Sequence, residues 1–239
     1  MKRKSLIFLA SIVLCLSACT KNGQDGKIAF RLEGGDVLEV ETKGSVTDYA
    51  SLPSSGDFNL LVKNSFGTQV YSGKLSGWDP STALAPGNYS ASVSYGDASE
   101  EGPSKPCFEG SKDFAVRSGE TSSVTIPVTL GNCVVRIVCT DQFRNYYPER
   151  TMRITTPESP SGFVYDGQAV FVAYQWSISG TLKSQAGIEY ALPERSWRGT
   201  PATCYTVKYD VSNIGGVSIS ISFSDSVETV TLEEIELNQ

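Results

Sequence analysis

The cysteines at Cys107, Cys133, Cys139 and Cys204 are the residues of the chain with the most reactive chemistry. The chain contains no histidine, which excludes Ser-His-Asp and Cys-His nucleophiles, histidine-ligated zinc and an imidazole base. None of the four cysteines has the Cys-x-x-Cys spacing that structural zinc sites favour. The carboxylates are expected to be solvated rather than paired as in a glycosidase. We therefore expect no metal, no cofactor and no catalytic residue.

In an exported chain the same cysteines could form disulfide bonds. Cys133 and Cys139 share one predicted strand, whose ends lie about 20 Å apart, so they cannot bridge each other. Two full connectivities remain: Cys107–Cys133 with Cys139–Cys204, or Cys107–Cys139 with Cys133–Cys204. The alternative is that Cys133 and Cys139 are buried apolar thiols, because both lie on the apolar face of that strand.

Aromatic side chains in polar surroundings are the candidates for ligand contact. Trp197 lies in a polar stretch flanked by prolines, and Tyr146 is followed directly by Tyr147. Such planar side chains can stack on sugars, so these three are the candidates for ligand-facing aromatics, with packing in the core or at a domain interface as the alternative. Ser226 lies in an Asp-Ser-Val sequence that resembles the Bacteroidetes O-glycosylation site, with a plain hairpin turn as the alternative.

The start of the chain has the order of a secretory leader. The basic residues 2–4 precede an apolar run at 6–16, which is too short for a membrane-spanning helix. The sequence Leu-Ser-Ala-Cys at 16–19 then resembles the lipobox of bacterial lipoproteins, whose cysteine accepts a diacylglyceryl group. We predict a signal peptide over 1–18, lipid attachment at Cys19 with fatty acids such as palmitate, and a tether over 19–26.

From residue 27 onward apolar residues alternate with polar ones, which predicts half-buried strands and no amphipathic helix. Turns rich in Gly, Pro and Asn separate the strands and favour antiparallel β-sandwiches. At about 100 residues per sandwich, we predict an all-β protein with two tandem domains, over 27–131 and 132–239. The alternating runs are Ile28/Phe30/Leu32, Phe58/Leu60/Val62, Tyr89/Ala91/Val93/Tyr95, Val124/Ile126/Val128/Leu130, Cys133/Val135/Ile137/Cys139, Tyr205/Val207/Tyr209/Val211 and Val217/Ile219/Ile221/Phe223.

The charge of the chain restricts its partners. The net charge is −6, and it becomes more negative once the basic leader is removed. So acidic a chain is a poor nucleic-acid binder, and we expect no nucleic-acid partner. The expected partners are the membrane, through the lipid anchor, and a protein or glycan at the cell surface. The sequence leaves the oligomeric state open.

Three blocks in the middle of the chain follow one another in a recognisable order. Residues 85–96 read APGNYSASVSYG, residues 107–121 contain FEGSKDF, and residues 130–135 read LGNCVV. In this order the blocks resemble a family of uncharacterised Bacteroidetes lipoproteins, and residues 216–228 are similar to that family's last hairpin. The resemblance implies exported β-sandwich proteins similar in architecture to fimbrillin-type pilus subunits, which are described as candidate adhesion proteins. It defines no catalytic residue.

From the leader and the resemblance together, we expect a non-enzymatic outer-membrane lipoprotein that acts in cell adhesion or fimbria-like assembly. The cell surface is favoured over the periplasmic face. The alternative is a glycan-binding surface lipoprotein associated with polysaccharide uptake. A fimbrial subunit would need an edge strand for exchange between subunits, for which the candidates are 27–33 and 227–237. Arg31 is a candidate processing site within the first of these.

Overall fold

The structure, a computed structural model, describes residues 25–33, 46–211, 217–223 and 230–231, of which 32–33, 217–223 and 230–231 are described by their backbone alone. The signal peptide, Cys19 and Ser226 lie outside the described residues. The described part contains one short α-helix, α1, and seventeen strands. Their bounds are β1 Gly26–Glu33, β2 Asn59–Asn64, β3 Gln69–Lys74, β4 Ala83–Leu84, β5 Gly87–Tyr95, β6 Gly102–Pro103, β7 Phe108–Val116, β8 Thr121–Leu130, β9 Cys133–Cys139, α1 Asp141–Tyr146, β10 Glu149–Thr155, β11 Phe163–Val164, β12 Val170–Val172, β13 Gln175–Lys183, β14 Glu189–Arg198, β15 Cys204–Val211, β16 Val217–Phe223 and β17 Val230–Thr231.

The strands form three sheets. A seven-stranded sheet has the order β3-β2-β5-β7-β8-β1-β4, a four-stranded sheet the order β11-β10-β13-β14, and a six-stranded sheet the order β17-β16-β15-β9-β12-β6. The all-β class predicted from the sequence is confirmed. The pairing is not antiparallel throughout, however, because β1 lies parallel to β8 and β9 lies parallel to β15.

Strand β8 changes partner along its length in the seven-stranded sheet. Its residues up to Pro127 pair with β1, whereas those from Val128 to Leu130 pair with β7. Pro127 stands at the change of partner, where its missing N–H removes a donor from the ladder. The two ends of the sheet then pack on each other, because Ile28 and Ile126 lie in the same hydrophobic cluster as Leu60.

A second hydrophobic cluster lies between the six-stranded and four-stranded sheets. The six-stranded sheet contributes Val135, Ile137 and Val207 on one face, and the four-stranded sheet contributes Ile154 and Ile178. The opposite face of the six-stranded sheet joins the first cluster through Val134, Phe171 and Cys204. Alternation along β9 thus sends consecutive side chains into two different cores.

Several contacts cross the predicted domain boundary between Gly131 and Asn132, which stays a prediction. Strand β6 pairs with β12, so a loop of the first half adds a strand to a sheet of the second. The carboxylate of Glu101 accepts hydrogen bonds from the Ala173 amide, at 2.8 Å, and from the Thr156 hydroxyl. Buried Asn132 donates its side-chain amide to the Lys105 carbonyl at 2.9 Å.

Candidate functional site

The four cysteines are free thiols in the structure, so neither predicted disulfide connectivity is formed. Cys107, Cys133 and Cys204 are buried and Cys139 is half-buried. Burial raises the pKa of all four thiols, that of Cys133 to about 12. The Cys133 thiol donates to the Val172 carbonyl at 3.4 Å. Protonated, buried thiols of this kind are poor nucleophiles, and they pack as small apolar groups.

The three predicted ligand-facing aromatics are not equivalent in the structure. The prediction is wrong for Tyr147, which is only 1% exposed and packs against Phe143, with ring centroids 5.1 Å apart. Tyr147 directly follows the short helix α1, and the rings of Phe143 and Tyr147 both lie in the second cluster. Trp197 is half-buried and stacks on Trp176 with centroids 4.5 Å apart. Tyr146 is 42% exposed and keeps a solvent-facing ring.

A cavity of about 850 Å³ opens beside β9, and we call it the arginine groove. Its size falls within the range of about 300 to 1,000 Å³ that is usual for ligand pockets. It is built by the second half of β9, the start of β10, α1, the loop that joins β11 to β12, and residues that follow β1 in the chain. The lining residues are Asp48, Tyr49, Arg136–Cys139, Arg144, Pro148, Arg150, Met152 and Tyr165–Ala169.

The three arginines of the groove are held differently. Arg150 donates from one Nη to the carbonyl of Tyr147 at 3.0 Å and more weakly to that of Pro148, which fixes its guanidinium. Arg144 lies 3.7 Å from an exposed carboxylate on its own helix, a contact that water weakens. Arg136 has a buried Nε that donates to no atom of the described residues.

The guanidinium groups affect the pKa values of ionisable groups around the groove. Burial and a hydrogen bond with Cys204 raise the pKa of Tyr49 to about 12, although Arg136 acts in the opposite direction. Burial raises the pKa of the Cys139 thiol, and Arg150 and Arg144 oppose that rise. The groove also contains the carboxylates of Asp48 and Asp166, which leaves a small excess of positive charge in an acidic protein.

Sequence reasoning did not find this groove. One signal was available in β9, because Arg136 interrupts the apolar sequence CVVRIVC. A charged residue in such a run needs a partner or a solvent-filled space. The other two arginines come from α1 and β10, and only the fold brings them to β9.

Strand β1 is the second feature with functional potential. It pairs with β8 over Lys27–Glu33 but with β4 only at Gly26 and Lys27. Ile28 is 1% exposed, and its carbonyl accepts a hydrogen bond from the Trp78 indole at 2.8 Å. The Phe30 ring meets the Trp78 ring edge-on at 5.0 Å. The side chain of Arg31 is exposed, and its backbone lies in the ladder with β8.

Comparison with known proteins gives the family of the chain. The model of a domain of unknown function, DUF4493, matches residues 24–239. The chain belongs to this family. No curated protein matches it significantly. Among the described residues no helix is long and apolar enough to span a bilayer, and no group of three or more Cys, Asp or Glu residues is placed to hold a metal ion.

Solved structures from Bacteroides and Parabacteroides species are similar to the chain. A candidate polysaccharide-binding protein from Bacteroides thetaiotaomicron is 9% identical, with a TM-score of 0.43 over 90% of this chain and 100% of the other. A candidate cell adhesion protein from Bacteroides uniformis is 11% identical, with a TM-score of 0.44 over 72% and 92%. A fimbrial assembly protein from Parabacteroides distasonis is 10% identical, with a TM-score of 0.41 over 87% and 98%.

Proposed function

We propose that this protein is a non-enzymatic surface protein of the outer membrane, anchored by lipid at Cys19, that acts in cell adhesion or fimbria-like assembly. The observation that supports it is the position of β1 near the margin of its sheet, with one long ladder to β8 and a short one to β4. An assembly protein needs a strand that can leave its sheet and be replaced by a strand from another molecule.

The side chains of β1 define what a replacement strand must carry. Ile28 and Phe30 point into the first cluster, two residues apart on one face of the strand. If β1 leaves, the β8 edge from Thr121 to Pro127 loses its ladder and two apolar sites open. An incoming strand with apolar residues at two alternate positions would restore both, whereas an unfilled edge would be prone to aggregation.

Cleavage after Arg31 tests the assembly function. An arginine-specific protease is applied to the purified mature chain, and assembly is followed by light scattering as the concentration rises. We expect the cleaved chain to assemble, and a peptide with the sequence of residues 25–33 to inhibit assembly. Arg31→Gln is the control that resists cleavage. A cleaved, folded chain that stays monomeric at all concentrations would contradict a role as a subunit.

The same cleavage distinguishes a subunit of the assembly from an anchor protein, which would hold an assembly of other subunits on the membrane. It separates the body of the protein from the predicted lipid at Cys19, so a subunit would assemble after cleavage. An anchor would instead engage its partner in the uncleaved form and keep its membrane tether. Assembly only in Arg31→Gln would therefore support the anchor.

The predicted lipid and surface location are tested in cells. We expect labelled palmitate to be incorporated by the natural chain and not by Cys19→Ala. Protease treatment of intact cells is expected to release peptides from residues beyond 27. Full protection until the cells are lysed would place the protein on the periplasmic face.

Sugar binding that is lost in Trp197→Ala would support the alternative glycan-binding function.

A further inference from the structure

Strand β9 extends past its partner β12 on the side of the arginine groove. Its pairing with β12 ends at Val135, whereas the strand continues to Cys139. Just beyond, the Thr140 amide donates to the Tyr209 carbonyl on the β15 side. Backbone groups alternate in direction along a paired strand, so those of Ile137 and Cys139 face away from β15, toward the groove. The Tyr165 hydroxyl lies against the Ile137 amide, and an incoming strand would replace it there.

The arginines beside this edge suit carboxylate ligands. A guanidinium presents a planar fork of donors that binds a carboxylate through two parallel hydrogen bonds. Arg150 is already oriented by its bonds to backbone carbonyls. The buried Nε of Arg136 donates to no described protein atom, and a buried donor left without an acceptor is costly. An acceptor bound in the groove would remove that cost.

The remaining lining limits the kind of ligand. Met152 is buried and Pro148 is exposed, and both offer apolar surface between the charged groups. Asp48 and Asp166 would repel a chain with acid groups at every position. A strand edge, apolar surface and spaced guanidinium groups together fit a peptide in which carboxylates alternate with apolar side chains.

We propose that the arginine groove binds an extended, carboxylate-bearing peptide segment of a protein partner, which pairs with β9 at Ile137 and Cys139 and places the carboxylates of one strand face on Arg150 and Arg144, beside Cys139. The inference deepens the proposed function, on which it rests for a surface-exposed partner. It can fail while strand exchange at β1 succeeds, because the two features involve different strands and different sheets.

Peptide binding tests the charge recognition. The probe is a fluorescein-labelled eight-residue peptide that alternates Glu and Val, and its comparison peptide has Gln for every Glu. We expect the mature chain to bind the Glu peptide at least tenfold more tightly. Arg150→Gln and Arg144→Gln should each weaken it several-fold, and their double variant tenfold or more. Equal binding of the two peptides, or no binding to the folded protein, would overturn the proposal.

Two controls keep the result interpretable. Arg195→Gln removes an exposed strand arginine on β14, outside the groove, and should change the affinity by less than twofold. Arg144 is exposed and makes only the weak contact with Asp141, so Arg144→Gln should fold normally even if Arg150→Gln does not. A folded Arg144→Gln, Arg136→Gln double variant that binds like the natural chain would also overturn the proposal.

Hydrogen exchange tests the strand pairing. The amides of Ile137 and Cys139 should exchange at least tenfold more slowly when the Glu peptide is bound. Binding without added protection of either amide would refute the pairing with β9.

Binding of polygalacturonate that depends on Arg150, with no binding of the peptide, would identify a site for acidic glycans and overturn the peptide proposal.

Discussion

The two parallel strand pairs of the molecule differ in how they are covered. The pair β9–β15 lies inside the six-stranded sheet, with β16 along the whole of β15 from Tyr205 and β12 along residues 133–135 of β9. The pair β1–β8 lies near a margin, where β4 protects only the first two residues of β1. Parallel pairs are normally covered by neighbouring elements. The difference indicates that β1 can be exchanged at a lower free-energy cost than β9.

Matched isoleucine substitutions test this comparison with the largest expected effect. Ile28 on β1 and Ile137 on β9 are 1% and 3% exposed. Replacing either by alanine should lower the free energy of unfolding by about 2 to 5 kcal/mol, because a buried side chain is lost and a cavity is left. The values are measured by urea denaturation.

Native-state hydrogen exchange on the same two variants separates the strands. In Ile28→Ala we expect the β1 amides to exchange through a local opening of β1, well before global unfolding. In Ile137→Ala the β9 amides that face β15, such as that of Val138, should exchange only with global unfolding, because β15 is paired along β9 and is itself covered by β16. Equal local opening of the two strands would refute the difference between them.

The hydrogen bond between Trp78 and β1 predicts a smaller effect on the free energy of unfolding. Trp78→Phe removes the indole that donates to the Ile28 carbonyl and leaves a buried acceptor unpaired. Trp176→Phe removes an indole N–H that donates to no described atom. We therefore expect Trp78→Phe to destabilise the protein by about 1 to 2 kcal/mol more through the lost hydrogen bond. An equal loss in both variants would show that this bond does not hold β1.

Substitution of Glu101 tests whether the first and second halves of the chain unfold together. Its carboxylate joins the loop that carries β6 to Ala173 and Thr156 of the second half. Glu101→Gln keeps one acceptor and should cost about 1 kcal/mol. The control is Glu100→Gln, because Glu100 is 64% exposed in its side chain and forms only a surface ion pair with Lys105. Two separate unfolding transitions in Glu101→Gln, measured by calorimetry, would show that this contact couples the regions.

Local patterns predicted the strands well. The alternating runs at Ile28–Leu32 and Cys133–Cys139 are β1 and β9, because a period of two is a property of neighbouring residues. The same pattern fits a parallel or an antiparallel neighbour, so the parallel pairs could not be predicted from it. The helix α1 was missed because its six residues are too few to display a helical period.

The candidate site depends on contacts between distant parts of the chain. Tyr147 looked exposed because its sequence neighbours are polar, yet the fold packs it against Phe143 and Tyr190. The arginine groove combines side chains from β9, α1 and β10, and no spacing along the chain relates them. Such sites follow from topology, and here the β9 edge exists because its antiparallel partner β12 pairs only with Cys133–Val135, a register that no local pattern predicts.

Burial of the Cys133 thiol predicts a change in the free energy of unfolding that appears only at alkaline pH. Its pKa is about 12 in the folded chain, against an ordinary value of 9.0, because burial disfavours the thiolate. Between pH 9 and 12 the unfolded chain releases this proton and the folded chain keeps it, so the free energy of unfolding falls as the pH rises. Cys133→Ala should flatten this alkaline slope in urea denaturation, and Cys139→Ala, whose thiol is half-buried, should flatten it less. An unchanged slope in Cys133→Ala would mean that the inner face of β9 admits water, which would remove the contrast with β1.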